Sequence, residues 1–137
     1  MYPPNLVAPM AQDLTAHGFD GLTSPEAVDQ FMQDQTGTAL VVVNSVCGCA
    51  AGNARPGAKA SMQHTKTPDA AVTVFAGVDK EATARMRDYL LPYPPSSPSI
   101  ALFKDGKLVH FLERHHIEGH SAAAIAANLQ MAYDHYC

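Results

Sequence analysis

Apolar residues recur at helical spacing through Leu6, Val7, Met10, Ala11 and Leu14 and stop at His17-Gly18, which predicts a first helix ending there. Thr23-Ser24-Pro25-Glu26 announces a second. Ser24 is a capping residue, Pro25 suits the first helical position, and Val28, Phe31 and Met32 form the inward stripe. Thr38 to Asn44 (TALVVVN) is a short, unbroken β-branched run, as expected of a central strand covered on both faces. The small residues from Ala50 to Ser61 suggest another helix, kinked at Pro56-Gly57. Ala70 to Ala76 (AAVTVFA) reads as a second strand closed by Gly77, and Asp79 is expected to cap a helix with Ala82, Met86, Tyr89 and Leu90 on one face. A stiff loop from Pro92 to Pro98 leads to two apolar segments, Ser99 to Phe103 and Lys107 to Leu112. Lys104-Asp105-Gly106 between them is a hairpin signal. A last helix begins near Glu118 to Ser121, with Ile125, Leu129, Ala132 and Tyr136 on its inner stripe.

The resulting order is ααβαβαββα. Helices between the first two strands imply a parallel pair with a right-handed crossover, while the closing hairpin is antiparallel. The expected architecture is an α/β fold with a four-stranded mixed sheet and helices on both faces. One domain spans residues 1–137, with an N-terminal helical extension over about residues 5–35. No repeat, low-complexity tract or interdomain linker interrupts it.

Composition narrows the class. Hydrophobic residues make up 47% of the chain and charged residues 16%, which suits a compact domain and excludes a disordered one. The net charge of −4 gives no reason to expect nucleic acid or an anionic membrane as partner. The longest apolar run, Ala39 to Val43, is too short to cross a bilayer. Met1-Tyr2-Pro3-Pro4-Asn5 shows no basic segment followed by an apolar one, so the expected compartment is the cytoplasm, where thiols stay reduced. The three cysteines, Cys47, Cys49 and Cys137, are too few for a disulfide framework.

Cys47-Gly48-Cys49 lies between a buried strand and the start of a helix. Unpaired N–H groups and the helix dipole favour an anion at that point, and a thiolate is such an anion. Cys47 is therefore expected to have a lowered pKa and to act as a nucleophile, with Arg55 and Lys59 further along the segment adding positive charge. Side chains two apart on a helix diverge, so a bond between the two sulfurs requires Cys47 to sit outside regular helix geometry. Two other readings stand beside reactivity: plain burial of small thiols, and a Cys-Gly-Cys carrier binding Cu(I) or Zn. The redox reading calls for no cofactor and no metal ligand. The histidines 110, 115, 116 and 120 match no zinc spacing and read as a surface group. Cys137 is either a second resolving thiol or an exposed terminal one.

Pro98-Ser99-Ile100-Ala101-Leu102-Phe103-Lys104-Asp105-Gly106-Lys107 resembles the thioredoxin segment in which a cis-proline precedes a core strand and a hairpin. That resemblance implies a thioredoxin-like fold, a cis Pro98 facing Cys47, and Ser97 as the adjoining backbone contact for substrate. Two thioredoxin features are missing: Val46 stands where thioredoxin has tryptophan, and Thr38 to Asn44 carries no carboxylate.

The run Val41-Val42-Val43-Asn44-Ser45-Val46-Cys47-Gly48-Cys49-Ala50-Ala51-Gly52 resembles the bacilliredoxin family more closely. So do Ala54-Arg55-Pro56, Lys66-Thr67-Pro68-Asp69, Val72 to Gly77, Asp79 to Ala84, Ser96-Ser97-Pro98-Ser99, Val109-His110-Phe111, Ile117-Glu118-Gly119-His120 and Cys137. This resemblance spans essentially the whole chain. It implies a dithiol protein that removes bacillithiol from mixed disulfides on client proteins, with Cys47 attacking and Cys49 or a free thiol resolving. Weak disulfide isomerase activity is a related expectation.

Overall fold

A computed structural model describes residues 2–137. The longest strand forms where the β-branched run predicts it: β2 (Thr38–Asn44) is buried at every position. It lies at the centre of the sheet, parallel to β3 (Ala70–Phe75) and antiparallel to β4 (Ser99–Lys104). β5 (Lys107–Leu112) pairs antiparallel with β4, closing the expected hairpin. Its turn has Asp105 at φ 50° and Gly106 at φ 80°, the positive pair of a two-residue hairpin turn.

The sheet has five strands, not the expected four. β1 (Asp20–Gly21) adds two residues parallel to the outer edge of β3, giving the order β1-β3-β2-β4-β5. Two exposed positions carry no alternation of apolar and polar residues, so nothing in the local pattern marks this strand.

Alternate residues of β2 face opposite layers, because side chains on a strand point up and down in turn. Leu40 and Val42 belong to a core with Leu14 of α1 (Pro4–Thr15), Ala58 of α3 (Arg55–Ser61), and Ile125, Leu129 and Tyr133 of α6 (Ala122–Tyr136). Ala39, Val41 and Val43 face a second core with Val28 and Met32 of α2 (Pro25–Asp34) and Ala82 and Met86 of α4 (Lys80–Tyr89). Helices therefore cover both faces. Leu6, placed on the inward stripe by spacing, is exposed, while Val7 and Leu14 hold α1 to the core.

The caps divide. Ser24 and Ser121 each accept a hydrogen bond from the backbone N–H three residues on, at 3.1 Å. Asp79 occupies the cap position of α4, but its carboxyl takes no capping bond, and burial pushes its pKa up. Pro56 stands within one continuous helical run rather than at a free helix start; the residues before it, Ala50–Ala54, form a wider π-helical turn, and α-helical geometry resumes in α3. Gly57 sits where α3 crosses α6, and a Cβ there would lie 2.7 Å from Ile125 Cγ2.

Candidate active site

Cys47 follows the carboxyl end of β2, and the chain turns there into a helix. Its carbonyl accepts the first helical hydrogen bonds, from the N–H groups of Ala50 (3.0 Å) and Ala51 (3.2 Å). Cys47 itself is outside the helix, whereas Cys49 is helical, with φ −69° and ψ −23°. This is the arrangement that sulfurs two residues apart require in order to meet. Both are free thiols and half-buried, and Gly48 between them is exposed.

The two sulfurs differ in electrostatics. Burial pushes the Cys47 thiol up, but hydrogen bonds from the Cys49 thiol, the Ser45 hydroxyl and the backbone N–H groups of Ala50 and Cys49 outweigh it. The net result is a pKa below the ordinary thiol value. Cys49 goes the other way. Burial raises it, its bond to Cys47 raises it further, and the charge of Arg114 opposes this only in part. Of the pair, Cys47 is the thiol that ionises first.

Arg55 and Lys59, the cations expected beside Cys47, are engaged elsewhere. Arg55 is buried: its Nε donates to Asp13 Oδ2 at 3.1 Å, and its Nη1 donates to Asn44 Oδ1 and the Ser45 carbonyl, each at 3.0 Å. Lys59 Nζ reaches the other Asp13 oxygen at 2.5 Å. Arg55 acts as a strut holding the end of β2 and Lys59 is held by Asp13, so neither serves as the partner of the Cys47 thiol.

The cation that does act on both cysteines is Arg114, on α5 (Arg114–Ile117), a short helix where the sequence pattern predicted none. Its Nε donates to Glu118 Oε2 at 3.0 Å and its Nη1 to the Ser97 carbonyl at 3.4 Å, while its backbone N–H donates to Ser96 Oγ at 2.7 Å. The Arg114–Glu118 spacing of four residues was the one available hint of a helical turn.

The register brings the proline loop to the thiols. β2 and β4 pair Val43 with Ser99, and continuing this antiparallel register sets Ser97 opposite Ser45. The Ser97-Pro98 peptide bond is cis, Pro98 is buried, and Ser97 lines an open cleft of about 310 Å³ together with Ser45, Val46, Cys47, Arg87 and Arg114.

The remaining sequence candidates lie elsewhere. His116 and His120 line a separate cavity of about 150 Å³ with Asn128, and His110 Nε2 is 2.6 Å from Asn128 Oδ1. Among the described residues no group of three or more His, Cys, Asp or Glu side chains is placed to hold a metal ion. Cys137 is exposed at the end of α6. The Ser61–Tyr133 hydrogen bond (2.8 Å) sets that end of α6 beside the far end of α3. From Cys49 to Ser61 the helical rise is about 18 Å, which keeps Cys137 away from the other thiols.

Comparison with known proteins agrees with this geometry. The profile of the family described as disulphide isomerase matches residues 2–137. A bacilliredoxin of Cytophaga hutchinsonii is 63% identical over 134 residues, covering 98% of each chain. One from Halalkalibacterium halodurans is 57% identical over 136 residues, covering 99% of this chain and 94% of the relative. Among solved structures, reduced thioredoxin pre-protein of Schistosoma mansoni superposes with a TM-score of 0.57 at 16% identity, covering 88% of this chain and 99% of that one. Mitochondrial thioredoxin 3 of Saccharomyces cerevisiae gives 0.57 at 15% identity, covering 90% and 98%. The fold is thus thioredoxin-like, and the chain belongs to the bacilliredoxin family, whose members are thiol–disulfide oxidoreductases.

Proposed function

We propose that this oxidoreductase reduces mixed disulfides between client proteins and a low-molecular-weight thiol, bacillithiol or one like it, with Cys47 as nucleophile and Cys49 as resolving thiol. The Cys47 thiolate attacks the small-thiol sulfur of the mixed disulfide. A Cys47–small-thiol bond forms, the original S–S bond breaks, and the client cysteine leaves as a thiolate. Cys49 then loses its proton and attacks the Cys47 sulfur, forming the Cys47–Cys49 disulfide and expelling the small thiol. A second small thiol attacking the same bond instead restores free Cys47 and yields a small-thiol disulfide. Both routes balance in electrons, since each S–S bond broken is replaced by another.

The observation that carries this reading is the opposite displacement of the two thiols. Hydrogen bonds to sulfur favour the anion at Cys47, and the same pairing disfavours it at Cys49. Attack needs a thiolate, and resolution needs a second thiol held in reserve. Ser97, which lines the cleft with Cys47, is the proposed backbone contact for substrate, and the cis Pro98 that follows it is proposed to belong to the same substrate-binding loop. Weak isomerase activity follows from the same chemistry when Cys47 attacks a client's own disulfide. A reducing cytoplasm is the compartment that suits the direction proposed.

The test is to incubate a protein carrying a bacillithiol or glutathione adduct with wild type, Cys47→Ala and Cys49→Ala. Adduct removal is expected to vanish in Cys47→Ala. Cys49→Ala is expected to accumulate the Cys47–small-thiol disulfide, visible by mass. Equal activity in all three contradicts the proposal, and so does stoichiometric Cu or Zn held by the reduced pair in place of activity.

A further inference from the structure

Arg87 is the unexplained charge of the site. It lies in the last turn of α4 and lines the Cys47 cleft, and its Nε is buried with no hydrogen-bond partner among the described residues. Its neighbour on the same helix is a contrast: Arg85 bonds Asp29 Oδ1 at 2.5 Å and Asp88 Oδ2 at 3.0 Å. A buried N–H with no acceptor is costly, and the cost falls when an anion arrives to take it. Across the cleft stands Arg114, whose charge Glu118 neutralises in part. Among the described residues no carboxylate lines this cleft. The cleft thus sets two guanidinium groups beside Cys47.

We propose that Arg87 and Arg114 form an anion subsite beside Cys47 that takes the carboxylate of the small thiol, making the protein selective for acidic low-molecular-weight thiols. The inference rests on the thiol-exchange reading above and adds a substrate class to it. A volume of about 310 Å³ suits one small organic molecule rather than a folded segment of a client. A planar guanidinium binds carboxylate through paired N–H groups, which fixes orientation as well as charge. A carboxylate held there anchors the small-thiol half of the mixed disulfide within reach of Cys47, so the thiolate meets that sulfur and the client cysteine becomes the leaving group.

Three symmetric disulfides with the same two-methylene spacer between sulfur and polar group test this: 3,3′-dithiodipropionate (anionic), bis(2-hydroxyethyl) disulfide (neutral) and cystamine (cationic). Second-order rate constants for oxidation of the reduced protein are measured for wild type, Arg87→Gln and Arg87→Lys. In each reaction the Cys47 thiolate forms a bond to one probe sulfur and the other probe half leaves as thiolate. Because intrinsic reactivity differs among the probes, the readout is the anionic-to-neutral rate ratio and its change on substitution. Arg87→Gln is expected to lower that ratio about tenfold, the size of one lost charge-assisted hydrogen bond, and to raise the cationic-to-neutral ratio. Arg87→Lys, which keeps the charge, is expected to retain most of the anionic preference. Unchanged ratios in Arg87→Gln overturn the subsite while leaving the exchange chemistry intact. Failure of wild type to react at Cys47 with any of the three probes overturns the exchange reading and the subsite with it.

Discussion

The Ser45 hydroxyl makes two contacts with one residue, accepting the backbone N–H of Cys47 and donating to its sulfur, both at 3.2 Å. It thereby fixes the turn that carries the thiol and stabilises the thiolate. Ser45→Ala removes a donor from the anion only, so the Cys47 pKa rises and less thiolate is present at neutral pH. The expected outcome is a slowing of Cys47 alkylation by about fivefold at neutral pH, equivalent to one net hydrogen bond, shrinking at alkaline pH as both proteins ionise fully. Alkylation rate against pH checks this.

Asp13 joins α1 to α3 through Arg55 and Lys59. Burial raises its pKa, but hydrogen bonds and charge from Lys59 and then Arg55 outweigh burial and leave it below the ordinary carboxylate value. A carboxyl whose folded pKa is depressed stabilises the fold above its unfolded pKa, and that contribution is lost as pH falls through the folded value. Asp13→Asn leaves the buried Arg55 with two neutral acceptors and is expected to cost about 1–3 kcal/mol at neutral pH. The gap from wild type should begin to narrow below about pH 4, as the unfolded-state carboxyl takes up its proton, and be lost as pH falls through the lower folded value. Denaturant unfolding followed by circular dichroism at several pH values measures it.

Gly57→Ala places a methyl group 2.7 Å from Ile125 Cγ2 and 3.3 Å from the Ala122 carbonyl oxygen, closer than atoms pack without displacement. Forcing α3 from α6 is expected to cost about 1–3 kcal/mol. Gly52→Ala, where a Cβ meets nothing within 4 Å, serves as its control. Urea midpoints of the two variants should differ accordingly.

Much of this arrangement was legible along the chain because it is encoded locally. The unbroken apolar run of β2, the Asp105-Gly106 turn and the Ser24 cap each announce themselves within a few residues. The cysteine pair was legible for the same reason, since a strand end running into a helix start is a short-range pattern. What the chain did not reveal is long-range pairing. Arg55 and Lys59 are near Cys47 in sequence, yet Asp13, 42 and 46 residues away on another helix, claims them. Arg114 reaches the thiols only because the antiparallel register returns the chain past Ser97. β1 was missed because two residues on an edge carry no period.

The central claim is that Cys47 ionises before Cys49. Site-resolved alkylation of the reduced wild-type protein across pH, with each cysteine quantified by mass spectrometry, tests it most directly. The account predicts a titration midpoint for Cys47 below the ordinary thiol value and one for Cys49 above it. A Cys47 that titrates at or above that range, or a Cys49 that ionises first, contradicts it.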